Sequence, residues 1–148
     1  MFGGWALVRL IALTAAVDRP DSVEGEWINP SGSVIVKIQQ CGSALCGTVS
    51  WASERAAQDA ARAGTAPLVG TEVLSNFIPK GTGMWRGSAF VPDLRRRGSA
   101  RLRQCGTDCL ELVGCQLAGL ICKRQIRVRA KPRSMPASGS APIGRDPR

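Results

Sequence analysis

The chain has 148 residues, a formal net charge of +9, six cysteines, no histidine and no tyrosine. This length suits one domain, and a composition of 44% hydrophobic and 21% charged residues is typical of a globular protein. The absence of histidine excludes Ser-His-Asp and Cys-His nucleophile arrangements and every zinc site that uses histidine. No motif indicates a nucleotide or another cofactor, because the lone Gly-Thr-Gly at 81–83 is typical of a turn.

Residues 1–17 predict a signal peptide. Arg9 precedes an apolar run, in which the small residues Thr14 and Ala16 have the spacing of an A-x-A-like cleavage site. The run is too short and too interrupted for a transmembrane helix. We therefore expect a periplasmic or secreted protein; the alternative is an apolar N-terminus of a cytosolic protein.

Residues 22–130 predict a single β-rich domain. Period-two alternation or short apolar runs predict seven or eight strands, over 26–28, 33–40, 45–51, 68–77, 84–91, 99–104, 110–113 and 123–129. The Ala-rich segment 53–64 differs, since Ser53 and Gly64 bracket it as an N-cap and a C-cap would bracket a short helix. Turns are predicted at 79–83 and 92–98. Residues 131–148, rich in Pro, Ser, Gly and Arg, predict a disordered basic tail.

The regular spacing of short strands and turns predicts an antiparallel meander that closes into a small barrel. Closure is favoured because it removes the exposed edge strands of an open sheet. The predicted fold class is therefore all-β, an up-and-down barrel with one short helix.

The cysteines form three close pairs: Cys41/Cys46, Cys105/Cys109 and Cys115/Cys122. In an exported protein an even number of cysteines indicates a disulfide framework, and six allow 15 connectivities. Local pairing is favoured because each pair flanks a predicted turn, where opposed Cα atoms lie about 4.5–5.5 Å apart. A zinc site built of cysteines alone is disfavoured by the spacing. A thiol-redox site is disfavoured because no Cys-x-x-Cys is present.

The ordered segments resemble a bacterial family known as domain of unknown function 2147. The matching pieces are GEW (25–27), VIVKIQQCGSALCGTVSW (34–51), PLVGTEVLSNF (67–77), GMWRGSAFVPD (83–93) and LELVGCQLAGLICKRQIRVR (110–129). The resemblance implies a calycin-like, lipocalin-like barrel in a secreted or periplasmic protein, and it implies no reaction or ligand. The chain departs from the family pattern at Arg127, where relatives carry a Trp, and at Arg62, where an Asn commonly follows the Asp.

Six residues are candidate contacts of a barrel ligand: Trp27, Trp51, Trp85, Gln125, Arg127 and Arg129. The tryptophans either line an aromatic pocket or fill the core of a barrel too narrow for a cavity. The three polar residues of the last strand share one face. That face either clamps an anion or is exposed with nothing bound.

The positive charge is concentrated in the second half of the chain. Residues 86–129 carry ten basic residues against three acidic ones, whereas residues 18–80 carry five against seven. This asymmetry indicates either an anionic partner or a solvated surface. The candidate patch consists of Arg95, Arg96, Arg97, Arg101 and Arg103.

The sequence thus predicts a non-enzymatic periplasmic barrel that binds a small or amphipathic ligand or a cell-envelope component. One alternative is a module whose basic surface binds an anionic lipid headgroup or glycan; nucleic acid is the least expected anionic partner. The other is an envelope hydrolase that uses carboxylates such as Glu72 and Asp93, although no paired acid-base constellation is visible. We expect no metal, no cofactor and no transmembrane segment.

Overall fold

A computed structural model describes residues 22–116 and 121–131. The strands in this part are β1 (Gly25–Ile28), β2 (Val34–Cys41), β3 (Ala44–Ala52), β4 (Glu72–Gly81), β5 (Met84–Val91), β6 (Arg96–Gly106), β7 (Cys109–Gln116) and β8 (Ile121–Arg129). One helix, α1 (Glu54–Arg62), joins β3 to β4. The predicted signal peptide and the predicted tail beyond residue 131 lie outside the described residues.

The strands form one closed antiparallel barrel. Each strand pairs with its neighbours in sequence, and β1 pairs with β8 through Trp27 opposite Arg129 and Ile28 opposite Val128. The predicted all-β up-and-down barrel with one short helix is confirmed. Its closed end, as we use the term, carries the β2–β3, β4–β5 and β6–β7 hairpins. Its open end carries α1 and the other connections.

The core follows from the period-two alternation, because successive side chains of a strand point to opposite faces of the sheet. The largest fully buried side chains point into the barrel: Trp27, Ile38, Val49, Phe77, Leu102 and Leu110. No polar or charged residue among those described is fully buried as a whole residue. The core is therefore apolar, and the charged side chains of most strands lie on the outer face.

Helix α1 begins after the predicted N-cap, Ser53, and ends at Arg62, so that its C-cap is Ala63 and not the predicted Gly64. The Ser53 hydroxyl accepts a hydrogen bond from the Ala56 amide at 3.2 Å, which satisfies a free N–H of the first turn. Gly64 follows the helix with φ of +94°, a left-handed conformation that glycine adopts without strain. Ala60 is buried against the barrel core, so the short helix is held by packing at the open end.

All three predicted local disulfides are present. Cys41–Cys46 and Cys105–Cys109 brace hairpins at the closed end, with Cα atoms 5.8 and 5.0 Å apart. The third bridge, Cys115–Cys122, joins directly opposed residues of β7 and β8 near the open end. The described residues contain no free cysteine.

Two predicted turns were too long, because β4 and β6 extend into them. β4 continues to Gly81 and therefore includes Pro79, which lies beside a register shift where a missing N–H is tolerated. β6 begins at Arg96, so the second turn spans only residues 92–95. Arg95 closes that turn with φ of +47°.

Gly87 marks a position where the barrel wall and its core come into unusually close contact. A Cβ atom there would lie 2.7 Å from both the Ser75 carbonyl oxygen and a ring carbon of Phe77. We expect Gly87→Ala to lower the free energy of unfolding by about 1–3 kcal/mol, because overpacking forces the backbone to shift. Gly114→Ala is the matched control, since nothing lies within 4 Å of its added methyl group. Urea unfolding measures the stability of both variants. Equal midpoints for the two variants would contradict the close contact at Gly87.

Candidate functional site

The barrel encloses a cavity of about 780 Å³ that reaches the open end. Its wall is mostly apolar and comes from the strands β2 to β8 and the helix; the aliphatic side chains include Val34, Val36, Val49, Leu74, Leu112 and Ala60. The volume lies within the roughly 300–1,000 Å³ typical of small-molecule sites. The barrel is therefore wide enough to hold a ligand, and its wall suits an apolar one.

Polar residues surround the mouth of the cavity. The Asn29 side chain closes the β1–β2 turn by accepting hydrogen bonds from the Ser33 and Val34 amides at 2.8 and 3.0 Å. The charged residues Arg55, Asp59, Asp93 and Lys123 also line the cavity. Asp59 is paired with Arg62 at 3.2 Å. A polar rim above an apolar interior is the arrangement that receives an amphipathic molecule.

Arg129 closes the opposite end of the barrel. Its guanidinium stacks over the Trp27 ring, 4.3 Å from the ring centre. It donates hydrogen bonds to the carbonyl oxygens of Ser22, Glu24 and Thr107 at 2.8, 3.1 and 3.0 Å. The Trp27 indole N–H in turn donates to the Val23 carbonyl at 2.8 Å. The Arg129 guanidinium and the Trp27 indole N–H thus have protein partners, and both side chains form the floor of the barrel.

Arg127 is two residues away on the same inward face of β8, yet its surroundings are different. It lines the cavity, and its Nε and Nη1 atoms are buried with no hydrogen-bond partner among the described residues. Its Nη2 atom makes only a long contact to the Gln125 side-chain oxygen, at 3.4 Å. Burial lowers the pKa of Arg127 to about 10, so the guanidinium stays positively charged at neutral pH. The cavity therefore contains a desolvated cation without a counter-ion from the described residues.

Of the six predicted ligand contacts, Gln125 and Arg127 line the cavity, whereas Arg129 and the three tryptophans do not. Trp27 lies in the floor, and Trp85 packs partly buried against the core, opposite Leu102. Trp51 pairs with Ile35 on β2 and is half-buried. The aromatic residue at the cavity is Phe90, near the end of β5. Sequence alternation did not single it out, because it lies on the opposite face of β5 from the inward Ala89.

The five arginines predicted as a basic patch are exposed but do not form one cluster. Arg95 and Arg96 lie at the open end, whereas alternation on β6 points Arg97, Arg101 and Arg103 outward. Strand pairing adds residues that the sequence did not indicate. The outer arginine face, as we call it, consists of Arg86, Arg101, Arg103 and Arg124 around Glu111.

Glu111 is the single acidic residue of the outer arginine face. Partial burial raises the pKa of this carboxyl group, but the hydrogen bond and charge of Arg103 and the charge of Arg124 outweigh that effect and lower it. Arg86 lies directly opposite Arg101 across the β5–β6 pair, and like charges in such positions destabilise a sheet. The face thus retains uncompensated positive charge.

The two carboxylates of the hydrolase alternative do not share the cavity. Glu72 is exposed at the start of β4, and only Asp93, in the β5–β6 turn, lines the mouth. The part of the chain that the structure describes holds no group of three or more potential metal ligands. Over the same residues, no helix has the length and apolar character needed to cross a bilayer.

Comparison with known proteins agrees with this geometry. Residues 25–129 match the model of a family described as an uncharacterised protein conserved in bacteria, DUF2147. The chain belongs to this family. The resemblance inferred from the sequence is thereby confirmed, and the match covers the whole barrel. No curated protein matches the chain.

A solved structure from the human pathogen Helicobacter pylori, protein HP1028, has a similar fold. That protein is described as belonging to the lipocalin family. The two share 13% sequence identity with a TM-score of 0.58, over 75% of this chain and 84% of the other. At this identity the likeness shows a lipocalin-like fold and no more. The confirmed facts are therefore the family and the barrel.

Substitution by methionine is expected to have opposite effects on stability at Arg129 and at Arg127. We expect Arg129→Met to lower the free energy of unfolding by about 2–4 kcal/mol, because it removes charge-assisted hydrogen bonds and a cation–π contact. We expect Arg127→Met to raise it by about 1–3 kcal/mol, because an unpaired buried cation is replaced by an apolar side chain of similar length. Urea unfolding at neutral pH measures both. Destabilisation by both substitutions would show that Arg127 has a structural partner.

Proposed function

We propose that this protein is a non-enzymatic binding protein of the bacterial periplasm, which holds a small amphipathic ligand in its barrel. The observation that carries the proposal is the cavity of about 780 Å³, with an aliphatic wall and a polar mouth. Such a cavity stabilises an apolar ligand body by removing it from water, at about 25 cal/mol per Å² buried. The polar rim keeps a hydrophilic end in contact with solvent.

The disulfides support the location outside the cytoplasm. Three bridges brace three different hairpins of one small domain, and such frameworks persist in oxidising compartments. The predicted signal peptide agrees with this location. The periplasm, as opposed to the medium, is the finer part of the proposal. Fractionation of a Gram-negative host and intact mass of the product test it, with cleavage near Ala16 and three bridges as the expected result.

Ligand binding is tested by obstructing the cavity. The probe is N-phenyl-1-naphthylamine, an uncharged fluorophore whose emission rises in an apolar site. We expect saturable binding by the native protein and a loss of at least about tenfold in affinity for Ala89→Trp, because an indole in the lumen displaces the probe. Ala89 is suited to this test since it is an inward cavity residue of β5.

The matched control is Lys37→Trp, which places the same indole on the exposed outer face of β2, outside the cavity lining. We expect this variant to bind the probe within about twofold of the native protein. Circular dichroism and thermal unfolding of both variants separate an obstructed barrel from an unfolded one. Equal binding by two folded variants would place the probe outside the lumen and overturn the proposal.

The outer arginine face supports a second candidate function, the binding of an anionic envelope surface. Arg86 and Arg101 are directly opposed and exposed, and only Glu111 offsets the charge of the four arginines. Like charges in opposed positions weaken a sheet. Their presence on the outer arginine face therefore favours a role in binding over a role in stability. The partner chemistry would be a polyanionic lipid or glycan surface.

Vesicle binding tests this second function. We expect the protein to co-sediment with vesicles containing phosphatidylglycerol and to dissociate as the salt concentration rises, because screening weakens contacts between exposed charges. The double variant Arg86→Gln, Arg101→Gln should bind at least about threefold more weakly, and Lys37→Gln on the outer face of β2 is the control. Binding that is insensitive to salt would exclude the outer arginine face as the contact.

A further inference from the structure

The cavity carries a charge that the apolar wall does not explain. Two nitrogens of the Arg127 guanidinium are buried without a partner among the described residues, and together they have three N–H donors. The ion pairs of the described residues use Asp59, Asp108 and Glu111, and none of these carboxylates reaches Arg127. Buried donors are normally hydrogen-bonded, and an unpaired buried cation is unfavourable. Among the described cations on the inner face of β8, Arg127 is thus the one whose buried nitrogens the fold leaves without a partner.

Arg129 shows what a structural arginine looks like in this barrel. It has the same side chain on the same face of the same strand as Arg127. Its guanidinium donates hydrogen bonds to three carbonyl oxygens, forms an ion pair with Asp108 at 3.4 Å and stacks on the Trp27 ring. Arg127 has none of these contacts and instead borders the lumen. A structural role therefore accounts for Arg129 and leaves Arg127 without one.

We infer that the ligand of this barrel is an amphipathic monocarboxylate, whose carboxylate is bound by the Arg127 guanidinium and whose hydrocarbon part lies against the aliphatic wall. This inference rests on the proposed function, because it names the chemistry of the ligand in the same cavity. A carboxylate accepts charge-assisted hydrogen bonds from a guanidinium, and these strengthen where water is excluded. Val34 and Leu112 belong to this apolar wall, on the strands β2 and β7.

The cations of the cavity favour a ligand head group with one negative charge over a head group with two. The other cations at the cavity, Lys123 and Arg55, are exposed at its mouth and remain hydrated. Among these described cations, Arg127 alone has buried donors, so one carboxylate neutralises its charge. A phosphate monoester carries about 1.5 to 2 negative charges at neutral pH, and its second charge would be desolvated without a partner. The inner site therefore selects a carboxylate over a phosphate with the same chain.

The experiment compares head groups on one hydrocarbon chain. Decanoate, 1-decanol and decyl phosphate each displace N-phenyl-1-naphthylamine from the native protein at pH 8. We expect decanoate to compete about 10- to 100-fold more strongly than 1-decanol, as expected for charge-assisted hydrogen bonds in a desolvated site. Decyl phosphate should compete less strongly than decanoate.

Two variants test whether Arg127 causes the preference for decanoate over 1-decanol. Arg127→Gln removes the charge. It should weaken the binding of decanoate by about 10- to 100-fold and leave the binding of 1-decanol within about twofold of that of the native protein. Lys37→Gln is the control, because it removes one positive charge from the exposed outer face of β2, outside the cavity lining; it should change decanoate binding by less than about threefold. Probe affinity and circular dichroism verify that each variant is folded. The native protein alone already tests the head-group preference if a variant fails to fold.

The outcomes separate this inference from the proposed function. Probe binding without a preference for decanoate over 1-decanol overturns the inference and leaves the binding function intact. Tighter competition by decyl phosphate overturns the carboxylate assignment, and an equal loss of decanoate binding in Lys37→Gln overturns the role of Arg127. Absence of any probe binding in the native protein overturns both proposals.

Discussion

The stacking of Arg129 on Trp27 determines how this barrel is built. The two residues belong to the last and first strands and lie opposite each other in the β1–β8 pair, so the contact that fills the floor also joins the sheet into a ring. The Arg129 guanidinium then caps the carbonyl oxygens of Ser22 and Glu24, which precede β1. The cavity that the described residues line lies toward the other end, which carries α1. The Arg129–Trp27 contact thereby contributes both to the closure of the sheet and to the sealing of one end of the barrel.

The sequence predicts the barrel well because each strand has a local signature. Period-two alternation marks the β2–β3 and β5–β6 hairpins, Ser53 and Gly64 bracket the helix, and close cysteine pairs flank turns. These signals are contained in adjacent residues, and the fold is a meander in which neighbours in sequence pair in space. The errors fall where tertiary structure decides the result, as at Pro79, which stays in β4 because a register shift there accommodates its missing N–H.

The site is less predictable, because a strand pattern shows which residues share a face but not which face is inside. Gln125, Arg127 and Arg129 alternate with Ile126 and Val128, and the ordinary expectation would bury the aliphatic pair. The barrel does the reverse: Ile126 and Val128 are 38% and 51% exposed, while the polar residues point inward. The pairing of Arg129 with Trp27 forces this register on β8. Neither the lumen nor the burial of Arg127 follows from composition or periodicity.

The topology also has a consequence for the order in which the barrel assembles. Seven of the eight strand pairs join segments that follow each other along the chain, whereas the eighth joins β1 to β8. The hydrogen bonds from Arg129 to Glu24 and Ser22 span 105 and 107 residues. Local hairpins lose little entropy on forming, while this single ring closure spans the whole domain. The ring therefore cannot close until the last strand is available to pair with the first.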